Sequence, residues 1–104
     1  MLKETMLDLP GRFQPKMAGN FRATIQFYFS GGESSHWVLT IGDGRCTVAE
    51  GVAEAADSVV SMAAADFIGI NTGDIPASKL FWGGQIDVEG DVETVIGLAP
   101  IMGW

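Results

Sequence analysis

The chain holds few side chains of the kinds that perform nucleophilic or metal chemistry. His36 is the only histidine in the sequence, and Cys46 is the only cysteine. A nucleophilic site needs a base beside the nucleophile and a carboxylate that orients the base, and nothing in the sequence places a carboxylate beside either residue in this way. A transition-metal site needs several histidine or cysteine ligands. We therefore expect no enzyme activity, no metal site and no cofactor.

Two further groups of residues have the composition of chemical motifs. The four carboxylates between residues 87 and 93 offer the ligands of a calcium site or of an acid and base pair, but strand and helix periodicity places most of them on a solvated edge. Gly83-Gly84 lacks the strand before it, the helix after it and the basic partner of a phosphate-binding loop. The pair is better explained as a turn that leads into a strand.

The charge of the chain argues against some classes of partner. The net charge is −7, and from Glu50 onward there are nine acidic residues and one basic residue. Nucleic-acid binding depends on clustered Lys and Arg, and the basic residues here are scattered. The sequence therefore predicts no nucleic-acid partner, and it disfavours docking on an anionic bilayer. The simplest explanation of the acidic half is a solvated face that aids solubility.

Length and cysteine content predict one domain in a reducing compartment. A chain of 104 residues is long enough for one core and a cavity. Cys46 cannot form a disulfide within the chain, and the sequence has no charged and then apolar N-terminal signal and no long apolar run. We expect a soluble cytoplasmic domain that spans residues 1–104.

Apolar spacing predicts a helix followed by a strand. Leu2, Met6 and Leu9 lie at helical spacing, which predicts a short amphipathic helix with a break at Pro10-Gly11. From Phe21 the period changes to two, so that aromatic and aliphatic residues alternate with polar ones as far as residue 29. This alternation is typical of a strand buried on one face.

A β-hairpin is predicted after a loop from Ser30 to Ser35. The segment 36–41 continues the alternation, Gly42-Asp43-Gly44 supplies residues that tolerate a positive φ, and the segment 45–48 forms the returning strand. On this alternation His36 falls on the polar face, where an exposed strand residue is the simplest explanation. Cys46 falls on the apolar face, where a small buried hydrophobe is the more common role.

The second half of the chain is predicted to contain two strands and three helices. Residues 58–62 form a strand, and residues 64–72 form a helix that Gly73 closes and that lacks a polar N-cap. Asp74 is predicted to cap a second short helix with Pro76 in its first turn. A fifth strand follows over residues 85–89, and the last helix, which Pro100 is predicted to end, carries an apolar stripe of Val92, Val95, Ile96 and Ala99.

These elements predict an α+β fold. Each strand has polar residues on one side and mostly apolar residues on the other, so one face of the sheet is expected to meet water while the helices cover the other face.

An ordered set of motifs between Trp37 and Asp91 then indicates a family. The motifs are Trp37-Val38-Leu39-Thr40-Ile41-Gly42-Asp43-Gly44, Ala56-Asp57, Asp66-Phe67, Thr72-Gly73 and Phe81-x-x-Gly84-x-Ile86-x-Val88-x-Gly90-Asp91. In order and spacing this set resembles the sterol carrier protein 2 (SCP2) lipid-binding domain family. The resemblance implies a five-stranded mixed sheet whose covering helices enclose an apolar cavity for a fatty acid, acyl-CoA, sterol, phospholipid or isoprenoid.

The resemblance also implies which residues bind the ligand. It assigns cavity walls to the sheet, the central helix and the segment before the last strand, and it suggests that the tail from Leu98 to Trp104 controls access. The candidate ligand-binding residues are Phe27, Trp37, Leu39, Phe67, Ile70, Leu80, Phe81, Ile86, Val95, Leu98, Ile101, Met102 and Trp104.

Two interpretations of these apolar residues stay open from the sequence. They either surround a bound hydrophobic molecule or simply fill the core, as such residues usually do in a chain of this size. The first interpretation predicts a lipid carrier that contacts a membrane or an enzyme transiently, as a monomer or a homodimer. The alternative is an accessory module that binds a protein partner or a second copy of itself, for which exposed Tyr28, Trp82 and Trp104 would have to form one patch.

Overall fold

The computed structural model describes residues 1–31 and 35–104. Its elements are α1 (Leu2–Leu7), α2 (Leu9–Arg12), α3 (Pro15–Ala18), β1 (Ala23–Ser30), β2 (Ser35–Gly42), β3 (Arg45–Glu50), β4 (Ser58–Ala63), α4 (Ala64–Thr72), α5 (Ala77–Trp82), β5 (Asp87–Gly90) and α6 (Val92–Met102). The loop predicted from Ser30 to Ser35 centres on residues 32–34, which lie outside the described residues. Across the described ranges, no helix is long and apolar enough to span a membrane.

The strands form one mixed sheet of five strands in the order β3-β2-β1-β4-β5. The central strands β1 and β4 run parallel, with Phe27 opposite Val60, and the other neighbouring strands pair antiparallel. The helices cover one face of this sheet, and the buried side chains of β1, β2 and β4 form one core with those of α1, α4 and α6. The predicted α+β architecture is therefore confirmed.

The hairpin between β2 and β3 forms where the sequence predicted it. Gly42 pairs with Arg45, so the turn consists of Asp43 and Gly44 alone. Both have a positive φ, 54° and 71°, which is the backbone that a two-residue turn between right-twisted strands requires. Asp43 is the only non-glycine residue with a positive φ among the described residues, and its carboxylate pairs with the guanidinium of Arg22.

One residue on the polar face of the sheet is not exposed to water, which is an exception to the prediction that this face meets water. Gln26 is only 2% exposed, because the segment between β3 and β4 passes over it. Its side-chain amide donates to the carbonyl oxygens of Trp37 and Gly51, both at 3.0 Å, and accepts from the backbone N–H of Ala53 at 2.7 Å. The amide therefore replaces the water that the polar face would otherwise have there.

The N-terminal helical segment is interrupted earlier than predicted. The interruption falls at Asp8, which separates α1 from α2, so the predicted break at Pro10-Gly11 is wrong. Pro10 lies in the first turn of α2, where a missing N–H costs no helical hydrogen bond. Leu2 and Met6, which share the predicted apolar stripe with Leu9, are fully buried.

Of the two helices after β4, the first matches its prediction and the second differs from its prediction at the N-cap. α4 has the predicted bounds, ends at Gly73 and has no side-chain hydrogen bond at its N-cap. The prediction that Asp74 caps α5 is wrong, because Pro76 occupies the N-cap position and no side chain bonds there. The Asp74 carboxylate instead accepts a hydrogen bond from the Thr72 hydroxyl at 3.1 Å.

The fifth strand begins later than predicted. β5 covers Asp87–Gly90 rather than residues 85–89. The backbone N–H of Gln85 donates to the carbonyl oxygen of Leu80 at 3.0 Å, so this residue belongs to the turn that closes α5. Ile86 connects that turn to the strand.

The last helix continues past its proline. The prediction that Pro100 ends α6 is wrong, since the helix runs to Met102 and closes at Gly103. A proline costs its own N–H and one helical hydrogen bond, and here the last turn is held by a 2.8 Å bond from the Trp104 N–H to the Ala99 carbonyl. At the other end the Asp91 carboxylate caps the helix by accepting from the Thr94 N–H, which lowers the pKa of Asp91.

The buried face of α6 also differs from the predicted stripe. Leu98, Ile101 and Met102 are the residues that reach the core, whereas Ile96 is 56% exposed and Val92 is 38% exposed. Part of the apolar surface of α6 therefore stays outside the core.

Candidate functional site

An apolar pocket of about 500 Å³ lies between the sheet and the helices α4, α5 and α6. It is partly open to solvent. Its lining combines two strands, three helices and the chain end: Phe27, Val60, Met62, Phe67, Ile70, Pro76, Ala77, Ser78, Phe81, Trp82, Ile86, Val95, Ile96, Leu98, Ala99 and Trp104. A volume of this size is usual for a small-molecule site, for which the range is roughly 300–1,000 Å³.

The base of the pocket is formed by side chains that belong to the core. Phe27 and Val60 are paired neighbours on β1 and β4, and Phe67 from α4 and Leu98 from α6 face them; all four are buried. The rings of Phe27 and Phe67 are 5.5 Å apart and tilted, a favourable geometry for an aromatic pair. The base is thus buried and wholly apolar.

The mouth of the pocket is formed by exposed side chains of α5 and α6. Trp82 is 82% exposed and Ile96 is 56% exposed, although both line the pocket. The ring of Trp82 contacts Phe81 edge to face at 5.1 Å. Large apolar side chains on the surface are informative when they gather around a concavity, and here they surround its opening.

The turn between α4 and α5 is fixed by one close approach. A Cβ atom on Gly69 would lie 2.8 Å from the Cδ1 atom of Ile75, so a larger residue at position 69 would require the Ile75 side chain to shift. The N–H groups of Asp74 and Ile75 both donate to the Gly69 carbonyl, at 2.9 and 3.2 Å. This turn brings Pro76, Ala77 and the rest of α5 over the pocket.

Trp104 forms one wall of the pocket and is held by α4. Its indole N–H donates to the side-chain oxygen of Asn71 at 2.9 Å, and its ring contacts Phe67 edge to face at 5.6 Å. The Asn71 amide in turn donates to the Phe67 carbonyl at 2.8 Å. Because this indole N–H already has a partner, it is not free to bind a ligand.

Arg12 connects the N-terminal segment to this wall. Its guanidinium donates to the Met102 carbonyl at 3.1 Å, to the Asn71 carbonyl at 2.9 Å and to the Gly103 carbonyl at 3.3 Å. The backbone N–H of Gln14 also donates to the carbonyl of Ile101 at 3.0 Å. The C-terminal turn is therefore held from both sides, by α4 and by α2 together with the segment that follows it.

The structure brings together most of the residues that were predicted to bind a ligand. Eight of the thirteen candidates line the pocket: Phe27, Phe67, Ile70, Phe81, Ile86, Val95, Leu98 and Trp104. The other five are buried in the core outside the pocket lining: Trp37, Leu39, Leu80, Ile101 and Met102.

The division between lining and core follows from how the helices cover the sheet. α2 packs against β3, and α1 packs against α4, so the N-terminal helices cover the half of the sheet that carries Trp37 and Leu39. The pocket remains over the other half, where β1 and β4 face α5 and α6. The tail residue Met102 is fully buried and so forms part of the fixed support, while Trp104 lies at the pocket surface.

Eight lining residues were not among the candidates: Val60, Met62, Pro76, Ala77, Ser78, Trp82, Ile96 and Ala99. The sequence could have identified Val60 and Met62, because the alternation of β4 places both on the face of the sheet that the helices cover, where they are buried. No comparable signal marks Trp82, whose role depends on how α5 lies over the sheet. Tyr28 contacts His36 at 4.7 Å and takes no part in the pocket, so it forms no patch with Trp82.

The lining offers almost no polar chemistry. Among the described residues no acidic or basic side chain lines the pocket, and the Ser78 hydroxyl is the only polar side-chain group apart from the two indoles. Ser78 lies in the first turn of α5 and is exposed. The arrangement can bury an apolar molecule and offer it a single hydroxyl.

The two residues with nucleophilic side chains lie elsewhere. His36 is exposed on the polar face of the sheet, and Cys46 is half-buried. Partial burial raises the pKa of the Cys46 thiol to about 11, so it is protonated at neutral pH. The described ranges hold no group of three or more His, Cys, Asp or Glu side chains arranged to bind a metal ion.

A second, polar groove of about 470 Å³ lies at the hairpin end of the sheet. It is lined by threonines and by the Arg22 and Asp43 ion pair. Asp57, at its edge, accepts a 2.7 Å hydrogen bond from the Thr24 N–H. These groups bind each other and fix the start of β4 against β1.

Comparison with protein families places the whole architecture among known domains. The family model described as the SCP-2 sterol transfer family matches residues 9–103, which confirms the resemblance found in the sequence. Hydroxysteroid dehydrogenase-like protein 2 of Xenopus tropicalis is 30% identical over 103 residues, which are 98% of this chain and 25% of that protein. The protein of the same name from Rattus norvegicus is 29% identical and is covered over 20% of its length. The chain thus spans about a quarter or less of these curated relatives.

Solved structures share the same fold. Palmitated SCP2L2 from Aedes aegypti has a TM-score of 0.80 at 17% identity, covering 99% of this chain and 92% of that one. Sterol carrier protein 2 of the same organism, in complex with palmitate, has a TM-score of 0.71 at 20% identity, covering 97% and 93%. The sec-alkylsulfatase Pisa1 from Pseudomonas sp. has a TM-score of 0.78 at 18% identity, covering 90% of this chain but 15% of that enzyme.

Proposed function

The chain belongs to the SCP-2 sterol transfer family, and on that premise we propose that it binds a lipid or another hydrophobic ligand in its apolar pocket and transfers it. The proposed function is non-catalytic. The observation that supports this proposal is the pocket of about 500 Å³, which is lined almost entirely by apolar side chains. Two neighbours in fold, both from Aedes aegypti, are described with palmitate, which supports a ligand with a long apolar chain.

Binding of this kind rests on burial of apolar surface. Each methylene group that leaves water contributes about 0.8 kcal/mol, so affinity is expected to rise with the length of the ligand's apolar part until the pocket is full. The buried aromatic base and the Trp104 wall supply the contact surface, and the mouth between α5 and α6 supplies the route of entry. We further propose a cytoplasmic location, because the fold needs no disulfide.

A substitution that fills the pocket tests the proposal. Ala99 is half-buried in the lining, and Ala99→Trp places an indole in the space that the ligand needs. Ala49→Trp is the matched control, because Ala49 is exposed on β3 outside the pocket lining. Binding of Nile Red, a neutral dye whose fluorescence increases in apolar surroundings, is expected to fall at least tenfold in the first variant and to stay unchanged in the second. Equal binding by both variants would place the ligand elsewhere.

The exposed side chains at the mouth of the pocket favour a second candidate function, which is contact with a protein partner or with a second copy of the chain. Trp82 is 82% exposed, and a large aromatic side chain in this position is typical of an interaction surface. Sedimentation equilibrium of the protein and of Trp82→Ser tests self-association. A dimer that the substitution dissociates supports the second function, and a monomer that binds Nile Red supports the carrier.

A further inference from the structure

We infer that the pocket selects uncharged hydrophobic ligands that carry a hydroxyl or carbonyl group, such as long-chain alcohols, sterols and isoprenoid quinones or alcohols, and discriminates against free carboxylates and acyl-CoA. This inference rests on the proposed function and specifies the ligand class of the same pocket. It follows from the charges that line and surround the pocket.

The lining cannot neutralise an anionic headgroup. Among the described residues no basic side chain lines the pocket, and Ser78 supplies its one hydroxyl. An ionised carboxylate taken into such a lining would lose its water and gain at most one hydrogen bond, whereas buried charges in proteins are paired or fully hydrogen-bonded. An alcohol loses much less, because it has no charge to desolvate and its hydroxyl can form a hydrogen bond with Ser78.

The elements that form the pocket are acidic as a group. The three helices that line it carry two carboxylates, on Asp66 and Glu93, against the one ammonium of Lys79. β1 and β4 contribute no acidic or basic side chain. A fatty acid bound with its carboxylate at the mouth would therefore keep the headgroup in water but next to an excess of negative charge.

The guanidinium of Arg12 is engaged with the backbone, and Arg12 does not line the pocket. Arg12 directs its donors to three backbone carbonyls, those of Asn71, Met102 and Gly103. Arg22 is paired with Asp43 in the polar groove at the hairpin end of the sheet. Acyl-CoA, whose phosphates are normally bound by Lys and Arg, thus finds one nearby cation, Lys79.

Competition against bound Nile Red tests the inference with three ligands that share one acyl chain length: hexadecanol, palmitic acid and palmitoyl-CoA. We expect hexadecanol to displace the dye at a concentration at least about tenfold lower than either anion at neutral pH. We also expect palmitic acid to approach the alcohol as the pH falls and its carboxyl group becomes protonated, because the neutral acid has no charge to desolvate.

A variant isolates the contribution of the single hydroxyl. Ser78→Ala is expected to weaken hexadecanol binding about threefold to tenfold and to leave the binding of hexadecane unchanged. Ser61→Ala, on β4, is the matched control because Ser61 does not line the pocket. A loss of affinity that is equal for the alcohol and the alkane would remove Ser78 from the ligand-binding groups.

The outcomes separate this inference from the proposed function. Equal or tighter binding of palmitate or palmitoyl-CoA overturns the inference and leaves the carrier function standing. If the dye binds to neither the protein nor the Ala49→Trp variant, and no ligand changes the intrinsic Trp fluorescence, the carrier function fails and the inference fails with it. Selective displacement by hexadecanol supports both.

Discussion

The indole N–H of Trp104 donates to the side-chain oxygen of Asn71 at 2.9 Å, and this bond joins the C-terminal turn to α4 at the wall of the pocket. The Asn71 amide completes the connection by donating to the Phe67 carbonyl. The Trp104 side chain itself is held by this hydrogen bond and by its ring contact with Phe67, so single substitutions can loosen it without removing a core residue.

Loss of this hydrogen bond is expected to weaken ligand binding more than it weakens the fold. Asn71→Ala should lower the free energy of unfolding by about 1 kcal/mol and lower the affinity for Nile Red several-fold. Trp104→Phe keeps an aromatic ring at the wall but removes the N–H. If the double variant loses as much as the sum of the two single variants, the two residues are not coupled and the bond does not hold the wall.

Arg12 is expected to stabilise the chain through the C-terminal turn. Its guanidinium donates to three carbonyls, and hydrogen bonds from charged groups contribute roughly 1.5–3 kcal/mol. Arg12→Gln should therefore lower the free energy of unfolding in urea by about 2 kcal/mol. Lys16→Gln, an exposed neighbour on α3, removes the same charge without these contacts and should change stability little. Equal effects of the two variants would show that charge alone is responsible.

Gln26 is expected to be one of the most sensitive polar residues in the chain. It is 2% exposed, and its side-chain amide binds three backbone carbonyls and one backbone N–H. Gln26→Leu leaves these groups without partners, and each buried unpaired group costs roughly 1–3 kcal/mol, so thermal unfolding should occur well below that of the parent protein. Thr40→Val, at an exposed position on β2, should not have this effect. A Gln26→Leu protein of unchanged stability would mean that water replaces the amide.

Cys46 is expected to make stability fall in alkaline solution. Burial raises the pKa of its thiol from 9.0 to about 11, so the unfolded chain loses the proton at a lower pH than the folded chain. The free energy of unfolding therefore falls progressively as the pH rises from 9 to about 11. Below pH 9 the thiol is protonated in both states, and the contribution of Cys46 to stability is fully present. Urea unfolding as a function of pH should show a smaller alkaline decrease for Cys46→Ala. Parallel curves for the two proteins would contradict this.

The local pattern of the sequence was sufficient for most of the fold. The two-residue period from Phe21 onward and Gly42-Asp43-Gly44 determine the strands and their hairpin, because strand faces and tight turns depend on neighbouring residues. The bounds of α4 were also predicted, from its apolar content and its closing glycine. The prediction for Pro100 was wrong because the sequence does not show the bond from the Trp104 N–H to the Ala99 carbonyl that holds the last turn of α6.

The lining of the pocket could be predicted only in part. Whether an apolar side chain enters the core or faces a pocket depends on which helix covers which half of the sheet. Trp37 and Leu39 have the same strand pattern as Phe27, yet the N-terminal helices cover their half of the sheet. Gln26 was missed for a similar reason, since its burial is caused by a segment far along the chain. No local pattern carries such information.

Native mass spectrometry of gently purified protein, followed by organic extraction and identification of the released lipid, tests the central claim most directly. We expect one hydrophobic molecule bound per chain, with an uncharged lipid as the main species, and its absence from Ala99→Trp. A protein that is always ligand-free, and that binds no Nile Red after purification, would contradict the claim that the pocket carries a lipid.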